Sequence, residues 1–180
     1  MEKLNYNKLA VKAHQNAVNH GFWEEKNSTE HCLMLIVTEI SEAVEAHRNG
    51  KIHDFEAFDK YNGGISDEEC FERFIKDSVA DEMADVAIRL FDLAGAWGID
   101  FGKMQPCRYF RAFDKFSFTE NAFGLVKGLS RTQIAIEKRV QFGIAYVFEW
   151  AKSLHVNLPW HINAKMKYNE NRPPKHGKLY

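Results

Sequence analysis

Cysteine is scarce in this 180-residue chain: Cys32, Cys70 and Cys107 stand far apart and form no CxxC pair. They supply neither a disulfide framework nor a thiolate zinc site, and they read as the reduced, small hydrophobes of a cytosolic protein. An imbalance of charge is missing too. Lys plus Arg number 24 against 25 Asp plus Glu, a formal net charge of −1, so no global field favours a nucleic-acid polymer or a membrane surface. No apolar run approaches the length of a membrane span, and the opening MEKLNYNKLA has no signal core. Strand alternation, hairpin signals, internal repeats, low-complexity tracts and interdomain linkers are all absent. What these absences leave is one all-α domain over residues 1–180, expected to be cytoplasmic, with a four-helix-bundle-like core and additional short helices.

Apolar spacing and capping residues place those helices. A first is expected from Tyr6 to about His20, with Leu9, Ala10, Ala13, Ala17 and Val18 as its stripe before Gly21. Asn27 or Ser28 can cap a second, from about Thr29 to Arg48, closed by Asn49-Gly50. A short helix near Asp54–Tyr61 and a turn or two after Ser66 precede a third main helix from Asp77 to about Trp97. Gly102 to Gly128 resists assignment; its Tyr109, Phe110, Phe113, Phe116, Phe118 and Phe123 suit a short helix or a cover for a neighbour. Ser130 is a good cap for a long fourth helix carrying Ile136, Val140, Ile144 and Val147, and a last helix begins by Ile162 and stops at Arg172-Pro173-Pro174. Fourteen Phe and four Trp point to aromatic packing in the core and between subunits.

Two short acidic pairs, Glu39-Ile40-Ser41-Glu42 and Glu82-Met83-Ala84-Asp85, lie inside the two most apolar of these segments. Residues three apart share a helix face, so each pair aims both acids one way. The acids border the apolar stripes (Ile36 and Ile40, Val79 and Val86) instead of opposing them, where an unneutralised carboxylate is costly. A lone ExxE would read as a solvated face; two such pairs on packed helices make a four-carboxylate cage. Its ligands are all oxygen, and none of the eight histidines has a glutamate three residues before it, which disfavours zinc and a di-iron bundle. Mg²⁺, with Mn²⁺ as the other option, suits carboxylates plus substrate phosphates. Such a cage points to phosphoanhydride hydrolysis, with Glu39, Glu42, Glu82 and Asp85 as metal ligands and Glu39 or Glu42 orienting and deprotonating water.

Two further segments offer substrate contacts. In the basic tail, Lys165, Lys167, Arg172, Lys175 and Lys178 face one acid, Glu170. Solubility would explain such a tail, but Lys165 and Asn169 share a helix face and could meet a triphosphate and a base or sugar. Arg172 can fork onto phosphate oxygens, and Pro173-Pro174 would hold the remaining residues extended. The tail is too short for polymer binding. In the Gly21-Phe22-Trp23 loop, Trp23 could stack on a nucleobase whose edge Asn16 or His20 binds; aromatic packing at a helix junction is the other reading.

In combination these motifs resemble the MazG-like, all-α nucleoside triphosphate pyrophosphohydrolases, a superfamily that includes the dimeric dUTPases and dCTP pyrophosphatases. The resemblance lies in Glu39-x-x-Glu42 and Glu82-x-x-Asp85 within HQNAVNHGFW (14–23), LIVTEISEAVEAHRNG (35–50) and DEMADVAIRLFDLAG (81–95), and in the tail KMKYNENRP (165–173). It implies a helical bundle assembled as a homodimer or homotetramer, and Mg²⁺-dependent cleavage between the α and β phosphates of a nucleoside triphosphate. It also implies Glu39, Glu42, Glu82 and Asp85 as ligands, Lys165 and Asn169 as nucleotide contacts, and Arg89 as a supporting partner behind the ligands. The long gap between Glu42 and Glu82 and the stretch 98–128 depart from the compact members and leave the choice of base open. Another phosphorylated nucleotide, such as a phosphoribosyl-nucleotide, and a non-catalytic metal-binding helical oligomer are the alternatives.

Overall fold

The computed structural model describes residues 4–104 and 112–177; Cys107, Tyr109, Phe110 and Lys178 lie outside them. Among the described residues the fold is helical, with α1 Tyr6–Asn19, α2 Thr29–Arg48, α3 Phe55–Tyr61, α4 Asp67–Phe74, α5 Val79–Ala96, α6 Phe118–Leu129, α7 Ile136–Ser153 and α8 Leu158–Glu170. Three 3₁₀ turns, at Phe101–Lys103, Phe113–Lys115 and Pro174–Gly177, complete it. No helix among the described residues is long and apolar enough to cross a membrane.

α5 is the axle. Its small residues Ala80, Ala84, Ala87 and Ala94 alternate with Met83, Val86, Leu90, Phe91 and Leu93, and all are buried. α1, α2, α7 and α8 pack around it, and α6 lies against α7 and α2. The α1 contact is close: a Cβ on Gly95 would stand 2.5 Å from the His14 Cβ and 2.6 Å from the Ala10 carbonyl oxygen. Only glycine lets these backbones approach so far. The main core unites α1, α2, α5, α6, α7 and α8, with Trp150, Phe91 and Met83 fully enclosed. A smaller cluster of Phe71, Ile75 and Tyr168 seats α4 on α8.

The first helices follow the expected bounds closely. Ser28 caps α2 by accepting from the His31 N–H at 3.1 Å, and Asp54 and Ser66 cap α3 and α4 in the same way. Two expectations change, and the stretch left open resolves into a helix. Ser130 does not start α7; it closes α6, its hydroxyl donating to the Val126 carbonyl at 2.8 Å. α7 begins after Ala135 with no side-chain cap, and Arg139 donates to the Leu129 carbonyl at the end of α6. The unassigned aromatic stretch contains α6, started by a reciprocal Ser117–Glu120 capping box; Phe113 and Phe118 are buried, whereas Phe123 is exposed. Beyond Pro173 the chain is not extended. Pro174–Gly177 coils into a 3₁₀ turn, and the Lys175 N–H donates to the His20 carbonyl at 2.7 Å, folding the tail over the end of α1.

Cys32 and Cys70 are free thiols, and burial raises the pKa of both, Cys32 to about 11.

Candidate metal centre

α5 begins with a reciprocal set of bonds. The Ser78 hydroxyl accepts from the Asp81 N–H at 3.3 Å, and Asp81 Oδ2 accepts from the Asp77 N–H at 3.0 Å. Asp77 adopts φ +59° to make this return. Asp81 and Glu82 thus sit in the first turn, where the unpaired N–H groups and the helix dipole favour negative charge. Even so, burial is severe: Asp81 is 0% exposed and Glu82 6%. Burial, reinforced by Asp85, pushes Glu82 up to about 8, and burial lifts Asp81 to about 6 against the pull of Lys165.

α2 brings Glu39 and Glu42 to the same place. One carboxylate oxygen from each of Glu39, Glu42 and Glu82 lies within 4.8 Å of the others; Asp77, Asp81 and Glu82 form a second such group. Glu39 is buried and Glu42 exposed, so the first group opens at Glu42. Arg89, one turn beyond Asp85, donates from Nε to Glu39 Oε1 at 3.0 Å and lies over the Phe22 ring. Burial, then the neighbouring Asp85, raises the pKa of Glu39, and Arg89 only partly offsets them. Glu45, three residues beyond Glu42, is bonded instead to Arg48 and Asn49.

Two of these oxygens, Glu82 Oε2 and Asp81 Oδ1, are buried with no hydrogen-bond partner. Buried acceptors are costly unless something positive meets them. The donor set is all oxygen and clustered at ligand spacing, so a hard divalent cation such as Mg²⁺ or Mn²⁺ fits it.

Asp85 is placed differently from its three companions. Its Oδ2 is 2.7 Å from Lys165 Nζ, and the same nitrogen is 2.7 Å from Asp81 Oδ2. Lys165 is itself buried. Burial works against its charge, but Asp85 and Asp81 outweigh that and hold its pKa above the ordinary lysine range. The side chain expected to meet a triphosphate therefore already carries two carboxylates, though it still lines the cavity.

That cavity, of about 230 Å³, gathers Asn16, His20, Glu39, Glu42, Glu82, Asp85, Arg89, Lys165, Asn169 and Arg172. Every candidate named from the sequence lines it except Trp23. The His20 ring is hydrogen bonded to the Asn16 carbonyl at 2.8 Å, and Asn169 Oδ1 accepts from Arg172 at 3.5 Å. Trp23 instead donates from Nε1 to Asp92 Oδ1 at 2.9 Å, an oxygen that also meets His14 Nδ1 at 2.9 Å. It lines an adjoining cavity of about 240 Å³, which shares the wall formed by Phe22, Arg89 and Asp92. Sequence reasoning does not single out Asp77, Asp81 or Asp92 as site residues. For Asp81 the signal is present as Ser78-x-x-Asp81, a capping pattern that fixes a carboxylate at a helix start; Asp92 leaves no comparable mark.

No family model, curated protein or solved structure matches the chain.

Proposed function

We propose that the chain is a Mg²⁺-dependent nucleoside triphosphate pyrophosphohydrolase, cleaving between the α and β phosphates to release monophosphate and pyrophosphate, as the MazG-like enzymes it resembles do. The observation that carries this reading is the Glu39–Glu42–Glu82 oxygen cluster, open on one side into a cavity that also holds Arg172, Asn169 and Lys76. Such a pairing of anionic cage and cationic rim suits a metal-bound polyphosphate.

Glu39, Glu42 and Glu82 would hold the ion, with Asp85 beside them. When bound, Mg²⁺ or Mn²⁺ supplies charge neutralisation at phosphate oxygens and acidifies a coordinated water. Of Glu39 and Glu42, Glu39 is the better placed general base. The Arg89 bond at 3.0 Å fixes its orientation. Arg172 forks onto phosphate oxygens, and Lys165, with two of its three N–H donors used, has one to offer. The cavity is smaller than the roughly 300–1,000 Å³ usual for small-molecule sites. It therefore takes the phosphate end, and Asn16 and His20 meet the nucleoside at the α1 rim. Assembly into a dimer or tetramer belongs to the same proposal; exposed Val11, Met34 and Phe123 are apolar surface that an interface would cover.

The test is pyrophosphate release from a panel of nucleoside triphosphates with Mg²⁺. Glu39→Gln should lower kcat by about 10²-fold or more, the usual scale for loss of a general base, with an unchanged circular-dichroism spectrum. Undiminished turnover would remove Glu39 from the chemistry, and no release from any nucleotide would reject the assignment.

A further inference from the structure

The two acidic groups differ in what already neutralises them. They share Glu82. The outer one, with Glu39 and Glu42, reaches the surface at Glu42, and among the described residues its bonded cation is Arg89, on Glu39. The inner one, with Asp77 and Asp81, is enclosed at Asp81 and half exposed at Asp77. Asp81 is fully buried, and Lys165 Nζ bridges Asp81 Oδ2 and Asp85 Oδ2 at 2.7 Å on both sides. Asp77 is bonded to Lys76 at 2.8 Å.

An ammonium held between two carboxylates at that distance stands where a metal ion would stand. It differs from an ion in being tethered. Lys165 sits in mid-helix on α8, and its charged end lies 5.9 Å from the centre of the Phe71 ring, in the cluster that seats α4 on α8. Leaving would strand two acids in a buried site, so the ammonium does not exchange with solvent ions. A second divalent ion entering beside it would meet like charge at short range.

We infer that Lys165 is the resident cation between Asp81 and Asp85 and, by keeping Asp81 from a second ion, sets the metal stoichiometry: exchangeable divalent metal is confined to Glu39, Glu42 and Glu82, one ion per chain. This rests on the metal reading proposed above and adds to it the number of ions and the residue that limits it. It also accounts for the position of Asp85, which is drawn to the lysine.

The test is Mn²⁺ alone, titrated into the full chain by calorimetry, with free Mn²⁺ followed by electron paramagnetic resonance. The wild type should bind one ion. Lys165→Met keeps an unbranched apolar stem and removes the charge; it should bind two, the second vanishing when Asp81→Asn is added. Lys165→Arg should bind one. A wild type that binds two ions overturns the inference while leaving the metal reading intact, and so does a folded Lys165→Met chain that binds only one. A wild type that binds none rejects both, and is distinct from either result. If Lys165→Met does not fold, Asp81→Asn in the otherwise intact chain decides. With Lys165 in place it should bind its one ion within about threefold of wild-type affinity, whereas a loss of about tenfold or more would make Asp81 a ligand of the exchangeable ion and overturn the inference.

Discussion

His161 is fully enclosed, with its ring against His53, Phe55 and Trp160 and neither nitrogen hydrogen bonded. Burial, with the charges of His53 and Lys165 behind it, lowers its pKa from 6.5 to about 3. The folded chain therefore keeps the ring neutral where the unfolded chain takes up a proton. Titration of this ring costs no stability above pH 6.5; that cost appears as pH falls below that value and grows until about pH 3. We expect His161→Phe to flatten that acid limb by an amount on the order of a few kcal/mol at its low end. Urea midpoints for both proteins at about pH 4, well inside the window in which the ring titrates, and at about pH 7.5, above it, check this. An equal loss in the two proteins on acidification would mean that other groups carry the acid sensitivity. At the same scale, the sequence shows that acids border apolar stripes, but not that Glu82 Oε2 and Asp81 Oδ1 lack partners. That depends on what faces them.

Among the elements, the crossing of α1 and α5 is the tightest constraint on the site, because α1 carries Asn16 to the cavity, with His20 just beyond its end, and α5 carries the acids. Gly95→Ala would gain about 1 kcal/mol of helix propensity. It would also drive a methyl into the backbone of Ala10, which no rotamer change relieves. We expect a net loss of about 1–3 kcal/mol, as overpacking usually costs, read as a lower melting temperature; an unchanged or higher value would show that the helices separate freely. Helix bounds are legible wherever a cap and an apolar stripe coincide, as at Ser28 and α2. Ser130 misleads because a serine before an apolar run looks the same whether it opens one helix or closes another. Its hydroxyl finds the Val126 carbonyl, and Arg139 takes over at the end of α6. The proline pair does end a helix, as proline must, but the tail beyond it answers to the His20 carbonyl instead of staying extended.

For the whole molecule, the assembled acids are a stability cost that a cation should relieve. Adding Mg²⁺ to about one hundred times its Kd should stabilise the chain by about 2.7 kcal/mol. For a chain of this size that is a rise of several degrees in melting temperature, reversed by EDTA. A melting temperature indifferent to Mg²⁺ and Mn²⁺ would count against any metal centre here. The helical class and the sharing of one face by Glu39 with Glu42 and by Glu82 with Asp85 were settled by the sequence alone, since both come from a 3.6-residue repeat that acts over neighbouring turns. Which acid meets Arg89 and which meets Lys165, and which ring holds Asp92, were decided only by tertiary packing. Those partners lie on different elements, Lys165 eighty-four positions from Asp81 and Trp23 sixty-nine from Asp92. Charge pairing at that range is set by how the helices pack, and periodicity along one helix contains nothing about it.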